Sequence, residues 1–373
     1  MNETHLHIVT HDVPYPANFG GVIDLFYKIK SLHKLGIKIQ LHCFFKTRNE
    51  QKELEKYCET VTYYKRKGFE SFSFRIPYIV SSRKSKLLLN NLNMDNYPIL
   101  LEGIHCSYLA YKNYFPNRKI ILRLHNVEFS YYNQLAKNET VFYKKMYYLH
   151  EANCLKKYEK IIACKLPIFS VSIDDTKKYK TLFNAQDIHF MPVFLPYDVS
   201  ISNIGIGTYC LYHGNLSVNE NEKVAIWLIE KIFSKLNIPL VIAGLMPSKK
   251  LKAIAKSNKY ISIVESPKDN NLQLLIENAQ INILPSFNNT GVKLKLLNAL
   301  YSGRHCLVNL AGVEGSGLNE LCNIAESTED FKKEIIHLFD TPFSETTMQR
   351  RNAALNKIYN KEANALLIHA AIQ

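Results

Sequence analysis

Two runs of the same alternation, a short apolar strand followed by an amphipathic helix, constrain this chain more than anything else in it. "LHIVT" (6–10) reads as a buried strand and "HDVPYPANFGG" (11–21) as a loop of turn residues. In the helix that follows, Val22, Leu25, Phe26, Ile29 and Leu32 share one face, and Gly36 supplies the stop. "IKIQLHCFF" is the next strand, and more are expected at "PILLEG", "KIILRLH", "KIIAC" and "IHFMP". The pattern then restarts: "TYCLYHGN" is a strand, and "NENEKVAIWLIEKIFSKL" is a helix with Val224, Trp227, Leu228 and Ile232 inward. "IPLVIAG", "YISIV", "INILP" and "HCLVNL" complete the second series. Strands separated by helices build a parallel sheet covered on both faces. The expected class is α/β, with two doubly wound Rossmann-like domains. The stretch "VFLPYDVSISNIGIGT" lacks periodicity and marks the linker. That places a first domain at 1–195, a second at 196–342 and a terminal helix at 343–373. Ligands of such folds bind at the carboxyl ends of the strands, here in an expected cleft between the domains.

A length of 373 residues with 47% hydrophobic content fits two globular domains. The start "MNETHLHIVTHD" lacks the basic segment and apolar run of a signal peptide, and no apolar run approaches the length of a membrane span. A cytoplasmic chain is expected. The eight cysteines contain no C-x-x-C pair, so buried reduced thiols are expected. The thirteen histidines show no zinc-ligand spacing, and no metal site is expected.

Charge is lopsided. Residues 1–195 hold 29 Lys+Arg against 17 Asp+Glu, whereas the remainder holds 18 against 16. A basic first half points to an anionic partner. The densest piece, "YYKRKGFESFSFRIPYIVSSRKSK" (63–86), interleaves basic residues with aromatic ones. That suits the anionic inner face of a membrane, single-stranded nucleic acid or a merely solvated charged face. No nucleic-acid module is recognisable, and no nucleic-acid partner is expected.

The loops carry the chemistry. Gly20 and Gly21 in the first half, and Gly214 in the second, allow a backbone to approach a ligand at a helix start. Neither loop matches G-x-G-x-x-G or a P-loop. "PSFNNTGVKLKLLNALYSGRHCLVNLAGVEG" (285–315) is sharper. Asn288, Asn289 and Thr290 are candidate caps, Gly291 leaves the start uncrowded, and Lys295 sits a turn further on. Free N–H groups beside an ammonium make an anion seat; the other reading of the same spacing is a surface lysine and a half-buried polar residue. Lys295 and Asn298, three apart, project from neighbouring places on the helix. In "RLHNVEFSYYNQL", His125, Asn126 and Glu128 fall at the carboxyl end of a strand. They serve either as hydrogen-bonded structural residues or in proton transfer and sugar-hydroxyl recognition. Glu102 closes a neighbouring strand and is a candidate contact for an acceptor hydroxyl.

These stretches together resemble the retaining, GT-B-fold glycosyltransferases of the family 4 group, many of which build bacterial surface polysaccharides. "PYPANFGGVIDLFYKIKSLHKLG" is similar to the family's opening proline and glycine-pair loop. "RLHNVEFSYYNQL" resembles its R-x-H-N-x-E element, and "YHGNLSVNENEKVAIWLIEKI" the start of its second domain. "GVKLKLLNALYSGRHCLVNLAGVEG" resembles the nucleotide-binding core. The resemblance implies a nucleotide-sugar donor, UDP- or GDP-linked, held mainly by the second domain, through Gly214, Asn215, Thr290, Gly291, Val292, Lys295 and Asn298. It implies a glycan or lipid-linked acceptor in the first domain. Gly20 and Gly21 would lie near the donor phosphates and sugar, His125 would touch the sugar, and Lys295 would neutralise the departing diphosphate. The terminal helix would cross back onto the first domain. The nucleotide sugar is a co-substrate, no separate cofactor is implied, and no D-x-D motif for a metal is present.

One position departs from the family's E-x7-E element: Asn298 stands where the second glutamate, a ribose contact, belongs; Thr290 stands where the first does, and a small residue there is usual in the branch with G-V-K-x-K. Exchanging a charge-assisted hydrogen bond for a neutral one costs on the order of 1–2 kcal/mol, about tenfold in donor affinity. The alternative is a GT-B-like chain without catalysis, acting as a binding or scaffold subunit.

Overall fold

The computed structural model describes residues 3–18, 20–288 and 290–373. The chain divides into two compact units, Met1–Pro196 with Tyr359–Gln373, and Tyr197–Ile358.

The first unit holds seven parallel strands: β1 (His5–Thr10), β2 (Lys38–Phe45), β3 (Thr60–Lys65), β4 (Ile99–Glu102), β5 (Ile120–Leu124), β6 (Ile168–Ser170) and β7 (Ile188–Phe190). Their order is β3-β2-β1-β4-β5-β6-β7. Consecutive side chains of a strand point to opposite faces, so both faces must be covered by apolar matter. Ile8, Leu100 and Ile121 enter one core, with Phe194, Ile368 and Ile372. Their neighbours Val9, Leu101 and Leu122 enter the other, with Leu155, Tyr158 and Ile162.

The second unit repeats the plan with β8 (Cys210–Asn215), β9 (Leu240–Leu245), β10 (Ile261–Glu265), β11 (Ile281–Ile283), β12 (His305–Val308) and β13 (Asn323–Ile324). They are ordered β10-β9-β8-β11-β12-β13. In each unit the order reverses beside the first strand, between β1 and β4 and between β8 and β11. That reversal is where an open α/β sheet leaves a crevice.

Besides the short β13, three differences from the sequence expectation bear on the architecture. "KIIAC" is not a strand but the end of the Phe142–Ala163 helix. Leu155, Tyr158 and Ile162 recur there at helical spacing and are buried, and the strand lies a few residues later, at β6. The β3 strand, half-buried along most of its length, was not foreseen. Where one terminal helix was expected over 343–373, there are two, Glu345–Tyr359 and Lys361–Ile372. Asn360 separates them and caps the second, accepting from Ala363 N at 2.9 Å.

Candidate active site

In the first unit the reversal point gathers an unusual density of titratable groups. Asp24 and Lys28 lie one turn apart on the Gly20–Lys34 helix, and both are fully buried. Lys28 Nζ donates to Asp24 Oδ2 at 2.9 Å and to Glu102 Oε2, at the end of β4, at 3.0 Å. Arg123, on β5, donates to the carbonyls of Met191 and Pro192 at 2.6 and 2.7 Å and reaches Asp24 Oδ1 at 3.3 Å. Two buried cations thus face two buried carboxylates, the condition under which burial of charge is tolerated. Asp24, Glu102 and His125 bring ligand atoms within 4.8 Å of one another. The Lys28 ammonium already bridges the two carboxylates of that group.

This network orients His125, whose Nε2 lies 2.9 Å from Glu102 Oε2. Burial alone would raise the Glu102 carboxyl, but Lys28 and the His125 hydrogen bond outweigh it and hold it below the usual range. An ionised Glu102 needs a donor, so the proton of a neutral His125 sits on Nε2. Nδ1 is left as an acceptor. Glu102, expected to meet an acceptor hydroxyl, is 0% exposed, with its oxygens engaged by Lys28 and His125; it acts through the imidazole. His11, one residue past β1, stacks on His105 at 5.3 Å and meets His125 edge-on at 5.4 Å between ring centroids. Burial holds the His11 and His105 imidazoles well below their usual value, so both are neutral.

Glu128 is also turned inward. It opens the Glu128–Asn138 helix, whose first N–H groups, of Glu128 and Phe129, donate to Glu159 at 2.9 and 3.1 Å. Tyr179 completes the set with a 2.8 Å bond to Glu159. Burial pushes Glu128 up to about 7, and burial with repulsion from Glu128 pushes Glu159 up to about 8. Glu128, expected on the acceptor side, is therefore a buried carboxyl hydrogen-bonded to the half-buried Asn126. Gly20 opens its helix, and a methyl group on Gly21 would lie 3.4 Å from His11 Nε2.

In the second unit the corresponding point is the end of β8 and the loop after β11. Ser286 Oγ donates to the Asn288 carbonyl at 2.8 Å, and Asn288 Oδ1 accepts from both Thr290 N and Thr290 Oγ1 at 2.8 Å. Gly291 follows in the left-handed region, φ 65°. This tight local bonding moves the helix start. Expected at Thr290–Val292, it falls at Leu294, after Lys293, and the helix runs Leu294–Ser302. Asn289, named as a cap, lies outside the described residues. Lys295 is thereby in the first turn. The N–H groups of Leu294 and Lys295 have no acceptor among the described residues.

The Lys295 side chain is half-buried and turned in towards β8, its Nζ 5.0 Å from the Tyr212 ring centroid. No hydrogen-bond acceptor meets it among the described residues. Burial, then repulsion from Lys293, lowers it to about 8 against the pull of Glu220. His213, on β8, is 4% exposed, and its Nε2 has no partner among the described residues. Burial, then Lys295, holds it down to about 3, so it is neutral. Asn215 Oδ1 is engaged in a turn with Ser217, at 3.1 Å to N and 2.7 Å to Oγ. Asn298 donates to Gln273 Oε1 at 3.2 Å and accepts from Ser302 Oγ at 3.3 Å.

The structure thus gathers Gly21 and His125 in one unit and Thr290, Gly291 and Lys295 in the other, each at its reversal point. Sequence reasoning missed Asp24, Lys28, His11, His105 and His213. His11 and His213 were within reach of the rule that found His125, since each stands at the carboxyl end of a strand.

No family model matches the chain. A relative in Klebsiella pneumoniae, an uncharacterized 44.6 kDa protein in the cps region, is 29% identical over 353 residues, covering 88% of this chain and 89% of that protein. Among solved structures, TarM matches with a TM-score of 0.69 at 10% identity, over 100% of this chain and 99% of that one. Alr3699/HepE of Anabaena, in complex with UDP and glucose, matches with a TM-score of 0.65 at 9% identity, over 99% of each chain. Likeness at this identity establishes the fold. The chain has the α/β GT-B fold, built of two doubly wound Rossmann-like domains.

Proposed function

We propose that this chain is a retaining glycosyltransferase that moves a sugar from a nucleoside diphosphate, UDP or GDP, to a hydroxyl of a glycan or lipid-linked acceptor. Surface polysaccharide synthesis is the proposed setting, supported by the cps-region relative. The observation that carries the reading is Lys295: an inward ammonium beside two N–H groups that meet no acceptor among the described residues, at the reversal point of the second sheet. A diphosphate gains negative charge as it leaves the sugar, and fixed donors aimed at it lower the barrier. The UDP and glucose bound by HepE support a donor of that class. Thr290 to Val292 and Gly214 would border the phosphates, and the Asn298 oxygen would accept from the ribose. In the first unit, His125 Nδ1 would accept from a sugar hydroxyl. Lys28, in place between two carboxylates, supports a mechanism without a resident metal, in which a chelator leaves turnover unchanged.

The test is calorimetry with UDP, GDP and their sugars, beside nucleotide release. Binding with slow donor hydrolysis is expected, and Lys295→Ala is expected to lower transfer at least a hundredfold. Wild-type turnover in that variant would overturn the assignment. The absence of nucleotide binding at millimolar concentration would favour the scaffold reading that Asn298 supports.

We also propose a cytoplasmic location with peripheral attachment to the inner membrane face. Among the described residues no helix is long and apolar enough to cross a membrane. Attachment is supported by Phe69 and Phe74 in the basic 63–86 segment and by Phe142 and Tyr143 beside Lys144 and Lys145, all exposed.

A further inference from the structure

The basic segment that ends β3 sends two guanidinium groups inward. Arg83 is 5% exposed, yet it donates only to backbone carbonyls: to Ile79 O at 2.6 Å and to His11 O at 2.9 and 3.3 Å. No carboxylate lies within ion-pair distance of it among the described residues. Arg66, half-buried, makes one long bond to Ser82 Oγ at 3.4 Å, and its buried Nε has no acceptor among the described residues. The two sit close enough that burial and then Arg66 hold Arg83 down to about 10. Beside them, His11 Nδ1 and His105 Nδ1 are buried and have no hydrogen-bond partner among the described residues. The nearby carboxyls offset this charge only in part: Asp12 attracts Arg83 without forming an ion pair with it, and Glu128, raised to about 7, is partly protonated at neutrality.

A buried cation without a counter-charge costs several kcal/mol unless something anionic arrives. Two guanidinium groups, with imidazole nitrogens that can carry protons, offer more donors than a lone carboxylate can use. That set matches a phosphate. We infer that Arg66 and Arg83, with His11 and His105, seat a phosphate group carried by the acceptor. This rests on the reading that the first unit takes the acceptor. The phosphate belongs either to a lipid diphosphate or to a soluble sugar phosphate.

Inorganic pyrophosphate, titrated into Lys295→Met so that the donor side is silenced, is expected to bind at low ionic strength. Adding Arg66→Gln should weaken it at least tenfold, and Arg66→Lys should recover part of the loss. Thermal unfolding checks that the variants fold, since Arg66, unlike Arg83, holds no backbone carbonyl. Geranyl diphosphate binding tenfold tighter than pyrophosphate identifies a lipid acceptor, whereas equal binding identifies a soluble phosphate. No binding to Lys295→Met, or binding indifferent to Arg66, overturns the inference. UDP titrated into the wild-type chain reports on the donor independently, so failure of the proposed function is distinguishable.

Discussion

Lys28 shows how one side chain decides whether a site can exist. Its ammonium is the link between Asp24 and Glu102, and Glu102 in turn fixes the His125 imidazole. Lys28→Met would leave two carboxylates buried with Arg123 as the remaining fixed cation of the network. Removing one partner of a buried pair costs about 3–5 kcal/mol. Urea unfolding followed by circular dichroism should show a loss of that size in the first unit, and a loss under ~1 kcal/mol would contradict the network's role. The sequence offered Lys28 only as one more polar residue of an amphipathic helix. Its helical position was legible there; its opposition to Glu102, 74 positions away, was not.

The start of the Glu128–Asn138 helix makes stability depend on pH. Glutamate ordinarily titrates near 4.5, but Glu128 is raised to about 7 and Glu159 to about 8. The folded chain therefore binds more protons than the unfolded one between those values. This contribution is fully present below 4.5 and is lost as pH rises through 7 to 8. Below 6.5 the lowered His11 and His105 oppose it, because unfolding lets them take up protons. Lys295, lowered to about 8, acts above that value. From pH 6.5 to 8 the two carboxyls dominate. Stability should fall by up to ~1.4 kcal/mol per pH unit for each proton at stake. The melting temperature should decline across that window, less steeply in Glu128→Gln. A wild-type curve that is flat or rising there would refute the pairing. The helix carrying Lys295 was likewise predicted as an element, but its first residue was not. Local bonds of Asn288 and the left-handed Gly291 postponed it to Leu294.

Across the whole molecule, the formal net charge is +14, most of it in the first half. Phe69 and Phe74 are 83% and 80% exposed there, and Phe142 of the next long helix 78%. Aromatic side chains left in water beside lysines gain by entering a bilayer interface, and each basic residue near an anionic surface adds about 1 kcal/mol. Co-sedimentation with phosphatidylglycerol vesicles is expected at low salt, fading as salt rises and reduced when Phe69, Phe74 and Phe142 become serine. Protein remaining in the supernatant at low salt would remove the membrane from the proposal.

Alternating strand and helix, read residue by residue, was enough to establish two parallel sheets. The period of apolar side chains is a local property, and helices that connect successive strands and cover both faces favour parallel pairing. The same reading put His125 at the end of a strand and Lys295 near the start of a helix, because such ends are visible in the chain itself. It could not show that Glu102 and Glu128 are sealed inside, that Lys28 joins helix to sheet, or that Arg66 and Arg83 turn inward while Phe69 and Phe74 turn out. Those outcomes depend on which distant groups share a buried volume. Only packing brings such groups together, and only there does the cost of an unpaired charge decide what a residue does.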